Sequence, residues 1–242
     1  MMNLWLKCLN EWFETENEKL ALQEFFGYIL CPYANYKKAL LLVGKSNSGK
    51  SVICEIARFI VGEEFTCHIR PEEMNEPWLL SSIKNKKLNL VYDSILSDSL
   101  SNVGFKQIIS GEPIRIDKMY TGSEVIVPVA KHLFVMNRIS RIKDSDDLFS
   151  RLLVLRISKT INTENQNPEL TGLLKEELTK IIKWSQEGLS RLDSNKGVFT
   201  TVTYNETDKD FEEPSLTEMI SNFLTHSNKI KLVEDGEIPI HL

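Results

Sequence analysis

The sequence predicts an α/β fold in which a central parallel sheet is flanked by helices, with a helical segment at each end of the chain. Short apolar runs, which are typical of buried parallel strands, alternate with segments of helical periodicity. Several of these runs end in glycine or in a polar residue. In sheets of this kind, ligands bind at the carboxyl ends of the strands.

The composition is that of a soluble globular protein, and the length predicts one large domain or one domain plus a fragment. The chain has 242 residues, of which 42% are apolar and 26% are charged, and its net charge is -5. The negative charge argues against a wholly basic nucleic-acid coat but leaves room for a local basic loop. No apolar run approaches the roughly 18 residues of a membrane span, so no membrane partner is expected. Scattered cysteines and the lack of a signal peptide predict a cytoplasmic location.

Apolar residues in the first 30 positions predict helices, and Pro32 ends the pattern. The stripe indicates core or a subunit contact rather than a ligand site. Residues 1–35 are therefore expected to form a helical collar against the rest of the chain. The first part of the stripe consists of Leu4, Trp5, Cys8, Leu9, Trp12 and Phe13.

The remaining elements define the expected domains. Apolar runs predict strands over residues 39–43, 88–93, 132–137 and 152–157. Periodicity predicts helices over residues 52–60, 103–110, 170–192 and 215–224, and alternation predicts a hairpin over residues 114–129. The main domain is expected to span residues 36–205. Residues 206–242 would form a C-terminal helical segment or the start of a truncated winged-helix-like domain.

The first predicted strand runs directly into a glycine-rich loop. The stretch GKSNSGKS matches the P-loop pattern G-x-x-x-x-G-K-[ST], in the strand–loop–helix context that the pattern requires. Such a loop forms a nest of amides for anions, and the following helix adds its positive dipole end. The motif predicts ATP and Mg²⁺ as ligands, with Lys50 at the β- and γ-phosphates and Ser51 on the metal ion. The predicted binding residues are Gly44, Lys45, Ser46, Asn47, Ser48, Gly49, Lys50 and Ser51.

Asp93 ends the second predicted strand and is the candidate Walker B acid, which would hold Mg²⁺ directly or through water. Many P-loop ATPases place a second carboxylate next to this acid to orient the attacking water, but here the neighbour is Ser94. Three alternatives stay open: Asp93 fills both roles, Asp98 or a neighbouring subunit helps, or hydrolysis is slow. The plainer interpretation of Asp93 is a turn residue at a strand end.

Four blocks follow one another in the sequence: GKSNSGKS, KKLNLVYD, FKQIISGEPIRIDKMYTGSEVIVPVAKHLFVMNRISRI and DSDDLFSRLLVLRI. Together they resemble the superfamily 3 helicases, in particular the primase C-terminal helicases of viruses and plasmids. The resemblance covers about residues 20–205, including the tract ELTGLLKEELTKIIKWSQEGLSRL. It implies an AAA+-like P-loop NTPase fold and assembly into a hexamer.

The resemblance places two further residues in the catalytic site. Asn137 ends a strand beside the P-loop strand, as a sensor residue would, and its amide can hold the attacking water or a phosphate oxygen. Arg151 occupies the arginine-finger position, from which a permanent cation reaches the γ-phosphate on a neighbouring subunit. The plainer interpretations are a strand-end turn for Asn137 and a salt bridge with Asp146 or Asp147 for Arg151.

The predicted hairpin carries the candidate DNA contacts. In the helicase family that the chain resembles, the equivalent hairpin projects into the central channel of the ring. Lys118 would then contact phosphate and Tyr120 would stack on a base, with Arg115 as a further cation. Lys131 and His132, at the returning end of the hairpin, are weaker candidates. The plainer interpretation is a solvated hairpin whose lysine guards a sheet edge.

The sequence thus favours an ATP-driven hexameric DNA helicase or translocase, an ATP hydrolase acting in the replication of a phage, plasmid or mobile element. The expected partners are single-stranded or forked DNA, further copies of the chain, and a primase that is fused or separate. One alternative is a nucleotide-binding ring that serves as a scaffold for a primase or replication complex, with weak or no hydrolysis. Another is a P-loop motor that acts on protein or in DNA packaging.

Overall fold

The computed structural model describes residues 4–92, 103–118, 122–137, 150–161 and 167–202. This part of the chain is α/β, with a five-stranded parallel sheet flanked by helices, as the sequence predicts. The predicted helix over residues 215–224 and the expected C-terminal segment lie outside the described residues. The domain boundaries at residues 35 and 205 stay predictions.

The described elements follow the predicted order. The helices are α1 (Leu4–Trp12), α2 (Glu16–Ile29), α3 (Lys50–Val61), α4 (Val103–Ile109), α5 (Leu170–Glu176) and α6 (Leu178–Ser194). The strands are β1 (Ala39–Gly44), β2 (Thr66–Cys67), β3 (Leu88–Val91), β4 (Ile114–Lys118), β5 (Gly122–Ile126), β6 (Lys131–Met136) and β7 (Leu152–Ile157). Short 3-10 helices span Glu63–Phe65, Pro71–Asn75 and Leu79–Ile83.

The parallel sheet has the strand order β2-β3-β6-β1-β7, which puts β1 between β6 and β7. Val43 pairs with Met136 and Gly44 pairs with Ile157, so these three strands end at nearly the same level. After β1 the chain continues to β2, at one edge of the sheet. After β6 it continues to β7, at the opposite edge, so the two connections run in opposite directions from the middle of the sheet. Crevices that bind ligands form where neighbouring strands diverge in this way.

The sheet is buried on both faces, since β1 is buried along its whole length. One face packs against α1, α2, α3, α5 and α6, and the other packs against α4, the β4–β5 hairpin and the 3-10 helices at Pro71–Asn75 and Leu79–Ile83. This double covering explains why its strands are continuous apolar runs in the sequence. No helix among the described residues has both the length and the apolar composition needed to cross a bilayer.

The N-terminal helices share the core of the sheet. A capping box starts α2, because Thr15 Oγ1 accepts the Glu18 amide (3.3 Å) while the Glu18 carboxylate accepts the Thr15 amide (2.9 Å). Further along α2, the fully buried Glu24 accepts hydrogen bonds from Arg191 Nε and from the Thr200 amide, both 2.7 Å long. These bonds fasten α2 to α6 and to the chain that follows it.

The structure differs from the sequence prediction in short elements. It divides the predicted helix over residues 170–192 into α5 and α6 at Glu177, and it adds β2 and the 3-10 helices. Strand β2 has only two residues, too few for a period-two pattern to be recognised. The helix division leaves the expected apolar positions in place, because Leu174 and Ile181 are both buried.

Candidate functional site

The glycine-rich loop joins the carboxyl end of β1 to the start of α3. Asn47 and Gly49 have positive φ values of 62° and 97°, and Gly49 is the N-cap residue of α3. Gly49 has no side chain to cap the helix, so no side chain at this position competes with a ligand for the first amides of α3. Backbone turns of this kind, next to a helix N-terminus, form binding sites for anions.

Gly44 begins the loop at a point where the backbones of two strands come close together. A Cβ atom added to Gly44 would lie 2.7 Å from the Ile157 carbonyl oxygen and 3.0 Å from Ser48 Oγ. A side chain at this position would therefore fill the space in which the loop curves around itself. The buried Ser48 occupies that space instead.

Lys50 holds its ammonium group inside the curve of the loop. The residue is only 8% exposed, and its Nζ donates to the carbonyl oxygens of Gly44 (2.5 Å) and Lys45 (2.6 Å). Ser48 Oγ lies 3.4 Å from the same nitrogen. A cation enclosed by the loop and next to a helix N-terminus favours the binding of a polyphosphate.

A cleft of about 700 Å³ opens beside the loop, at the carboxyl ends of β1 and β6. Its volume is within the range of sites that hold a ligand of nucleotide size. The loop forms one wall, and Asn137, which follows β6 directly, is exposed in the cleft. Of the predicted site residues, the structure places seven along this cleft: Ser46, Asn47, Ser48, Gly49, Lys50, Ser51 and Asn137.

A second wall of the cleft comes from the chain after β7. The Ile161 amide donates to the Asn47 carbonyl oxygen (2.9 Å), which holds this segment against the loop. Further on, Asn167 Oδ1 accepts the amide of Glu169 (2.9 Å), and Pro168 and Leu170 add apolar surface to the cleft. This wall is thus mostly apolar, with a fixed polar residue at its edge.

Tyr92 lines the cleft at the end of β3, one position before the predicted Walker B acid. Its hydroxyl donates to Glu55 Oε1 on α3 (3.0 Å), and the other Glu55 oxygen accepts from Arg58 (2.5 Å). Burial raises the pKa of Tyr92 above its ordinary value, so the hydroxyl keeps its proton and remains a donor. Asp93 and Asp98 lie outside the described residues, so the predicted metal site is described only at Ser51.

Arg151 lies at the other end of the sheet from the loop. Its carbonyl oxygen accepts the amide of Ala39 (2.9 Å), the first residue of β1, and the next residue, Leu152, pairs with Ala39. The length of β1 separates it from the loop, a distance of about 16 Å at roughly 3.3 Å per strand residue. The structure therefore does not bring Arg151 together with the cleft of its own chain. Asp146 and Asp147 lie outside the described residues.

Two of the predicted DNA contacts lie on the hairpin. Arg115 is exposed on β4, with its Nε 3.6 Å from the Asp117 carboxylate. Lys118 is the last residue of β4 and pairs with Gly122 across the turn. Tyr120 lies outside the described residues, as does the side chain of Lys118.

The prediction of DNA contact is wrong for Lys131, because this residue is buried at the start of β6. Its Nζ donates to the carbonyl oxygens of Cys31 and Val129 and lies 5.2 Å from the centre of the Tyr28 ring. Burial lowers the pKa of Lys131 to about 8. All of these contacts are inside the protein, so the ammonium group stabilises the fold rather than a ligand.

The prediction is also wrong for His132, which is 1% exposed. Its Nδ1 lies 3.2 Å from Asn89 Nδ2, and its ring stacks on Phe134 at a centroid distance of 6.0 Å. Burial, with a smaller contribution from the charge of Lys131, lowers the pKa of His132 to about 3. The ring is therefore neutral at physiological pH, and its Nδ1 accepts a hydrogen bond from the Asn89 side-chain amide.

Sequence reasoning missed several residues at the cleft. Tyr92 could have been found, since it directly precedes the predicted acid, but a tyrosine there equally suits a strand end. Ile161, Asn167 and Pro168 carry no signal in the sequence, because the fold alone returns the chain from β7 to the loop. No group of three or more histidine, cysteine or acidic side chains in the described ranges is arranged to hold a metal ion.

Comparisons with known proteins agree with this architecture. Residues 42–151 match a family of unknown function, DUF5906. No curated protein matches the chain significantly.

Among solved structures, the chain is similar to the C-terminal region of NrS-1. The apo structure of residues 305–718 of NrS-1 gives a TM-score of 0.63 at 17% sequence identity, over 93% of this chain and 55% of that one. The A form of the apo C-terminal region gives a TM-score of 0.62 at 17% identity, over 92% and 53%. The chain thus spans little more than half the length of these relatives, and the likeness shows a shared fold.

Proposed function

We propose that the chain is an ATP-dependent DNA helicase or translocase of the AAA+ P-loop class, which works as a homohexamer in the replication of a phage, plasmid or mobile element. The observation that carries the proposal is the phosphate loop itself. Lys50 is enclosed by the loop at the N-terminus of α3, beside a cleft at the carboxyl ends of β1 and β6. The ordered blocks that resemble superfamily 3 helicases support a motor function in addition to nucleotide binding.

The residues of the loop fit a nucleoside triphosphate with Mg²⁺. Lys50 would leave its carbonyl partners on Gly44 and Lys45 to neutralise phosphate oxygens, and Ser51 would offer its hydroxyl to the metal ion. Mg²⁺, when bound, neutralises negative charge on the phosphates. Asp93 would complete the metal site, and Asn137 would hold the attacking water or a phosphate oxygen in the cleft.

The position of Arg151 favours a role between subunits. Because it lies at the amino end of the sheet, far from the loop of its own chain, its guanidinium group would act on the cleft of a neighbouring subunit rather than on its own. An arginine supplied in this way stabilises charge on the transferred phosphate and contributes about 10³–10⁵ in rate. A ring of identical subunits would give each cleft one such arginine.

The hairpin would contact the DNA. Arg115 is exposed on it, and Lys118 is the last residue of β4. Tyr120, two positions later in the sequence, would supply an aromatic ring for a base. Single-stranded or forked DNA is the proposed substrate, with a primase as a fused or separate partner. The cytoplasm of the host cell is the proposed location.

A hydrolysis assay with and without single-stranded DNA tests the motor against a scaffold. The motor predicts hydrolysis that single-stranded DNA stimulates, together with unwinding of a forked duplex. A rate no faster than that of Asp93→Ala would favour the nucleotide-binding scaffold instead. Nucleotide binding without unwinding would favour a motor that acts on another substrate.

The hairpin is tested separately by Lys118→Ala, with Lys183→Ala on the exposed surface of α6 as the control. Loss of one phosphate contact should weaken binding on all DNA sequences and reduce the salt slope by about 1 per chain. Basal hydrolysis should not change. Equal DNA affinity in the two variants would remove the hairpin from the DNA site.

A further inference from the structure

Helix α1 reaches the phosphate loop through Trp12. A Cβ atom added to Gly49 would lie 2.5 Å from Trp12 Nε1, 2.8 Å from its Cε2 and 3.0 Å from its Cδ1. The five-membered ring of the indole therefore covers the side of Gly49 where another residue would carry its side chain. Trp12 is buried, and it lies outside the residues 42–151 that match DUF5906.

This contact falls on the residue that sets the direction of the loop. Gly49 has a φ of 97°, and the two residues that follow it are Lys50 and Ser51. Glycine is the most permissive residue of the backbone, so its own chemistry does not hold it in one conformation. A rigid wall against its Cα atom would restrict the conformations it can adopt, and would thereby orient the helix N-terminus.

The aromatic cluster behind Trp12 makes the wall rigid. Trp12 meets Trp5 edge to face, with ring centroids 5.8 Å apart, and Trp5 meets Trp184 of α6 in the same way at 5.5 Å. Phe26 of α2 lies 5.8 Å from Trp5. The ring against Gly49 is thus backed by Trp5, which itself packs against α2 and α6, and edge-to-face pairs are favourable beyond their buried area.

We propose that Trp12 is a positioning residue for the phosphate loop. It acts through Gly49, by holding that residue in the left-handed conformation in which Lys50 and Ser51 face the cleft, and has no contact of its own with the polyphosphate. The inference rests on the proposed binding of nucleotide at the loop. The inference adds that the N-terminal helix takes part in nucleotide binding, and that a change in the loop alters the surroundings of the Trp12 indole.

The first test is spectroscopic and uses the full chain. The four tryptophans, Trp5, Trp12, Trp78 and Trp184, give four indole N–H signals, which single phenylalanine variants assign. Titration with ADP or ATP and Mg²⁺ should shift the Trp12 signal strongly and leave that of the exposed Trp78 unchanged. An unmoved Trp12 signal at saturating nucleotide would overturn the proposal.

The second test compares matched variants. Trp12→Leu and Trp5→Leu each remove one indole from the same cluster and should lower stability similarly, but only the first removes the wall from Gly49. We expect Trp12→Leu to weaken nucleotide binding by about tenfold, which corresponds to about 1.4 kcal/mol, because the loop amides would no longer be held in the binding conformation. Trp12→Phe, which keeps a ring in place, should restore most of the affinity.

The outcomes separate this inference from the function on which it rests. Equal nucleotide affinity in Trp12→Leu and Trp5→Leu overturns the positioning role while leaving the nucleotide site intact. Failure of the unaltered chain to bind nucleotide overturns both. If Trp12→Leu does not fold, the indole titration of the unaltered chain decides the point, because a Trp12 N–H signal that does not move at saturating nucleotide overturns the positioning role.

Discussion

Polar residues have opposite environments at the two ends of the parallel sheet. At the carboxyl ends of the strands, Lys50 and Asn137 line an open cleft. Nearer the amino ends, Asn89, Lys131 and His132 lie on β3 and β6 with their polar groups turned into the protein. Both groups of residues belong to or flank apolar strands, yet one is available to a ligand and the other is not.

The difference follows from what covers each end. Strand β6 begins under the chain that follows α2, where the carbonyl oxygen of Cys31 is in place to accept from Lys131. The same strand ends at the cleft, where Asn137 is exposed and no element among the described residues closes over it. A polar residue in a buried strand therefore indicates function only once its end of the sheet is known.

Two asparagines give the largest expected contrast. The buried Asn89 accepts the Ile69 amide (2.7 Å) and donates to the Ile69 carbonyl oxygen (2.8 Å). Asn89→Ala leaves both groups unpaired, so chemical denaturation should show a loss of at least about 2 kcal/mol, at about 1–3 kcal/mol per buried group.

Asn137→Ala should do the reverse. Its stability should stay within about 0.5 kcal/mol of the unaltered chain, while hydrolysis per folded molecule should fall by about 10²–10³, as for the loss of one transition-state donor. A large loss of stability in Asn137→Ala, or normal hydrolysis in it, would erase the distinction between the two ends.

A smaller effect is expected from the titration of His132. Its folded pKa of about 3 lies below the unfolded value of about 6.5, so the unfolded chain binds the extra proton as the pH falls. The stabilising contribution is complete above about pH 6.5 and is lost progressively down to about pH 3, at no more than about 1.4 kcal/mol per pH unit.

Urea denaturation between about pH 7.5 and about pH 5.5 measures this loss, with His132→Gln as the variant that cannot titrate. The unaltered chain should lose about 1.3 kcal/mol more than the variant over this interval. If the free energy of unfolding depended on pH in the same way for both proteins, the ring would be accessible to protons in the folded state.

The sequence predicts the strands well where the physics is local. Strand β1 is a continuous apolar run and most residues of β6 and β7 are apolar, because both of their faces are covered. The loop after β1 is recognisable from its glycines and lysine. The two-residue β2 and the 3-10 helices have no periodicity to detect.

Distant contacts decide the remaining cases. The burial of Lys131 depends on Tyr28 and Cys31, which lie about a hundred positions earlier in the chain. The contact between Trp12 and Gly49 likewise joins two segments whose apolar and glycine patterns are independent. No pattern around either residue reports such a partner, so the sequence predicts a DNA contact for Lys131 and only a core or subunit contact for Trp12.

The central claim is that the cleft beside the loop binds a nucleoside triphosphate through Lys50. The most direct measurement is an equilibrium titration of the purified chain with ATP and Mg²⁺, in parallel with Lys50→Ala and, as control, Lys183→Ala. Saturable binding at one nucleotide per chain is expected for the unaltered protein and the control, with a loss of about tenfold or more in Lys50→Ala, since each 1.4 kcal/mol is tenfold in affinity. Absent binding in the unaltered chain, or equal affinity in Lys50→Ala, would contradict the account.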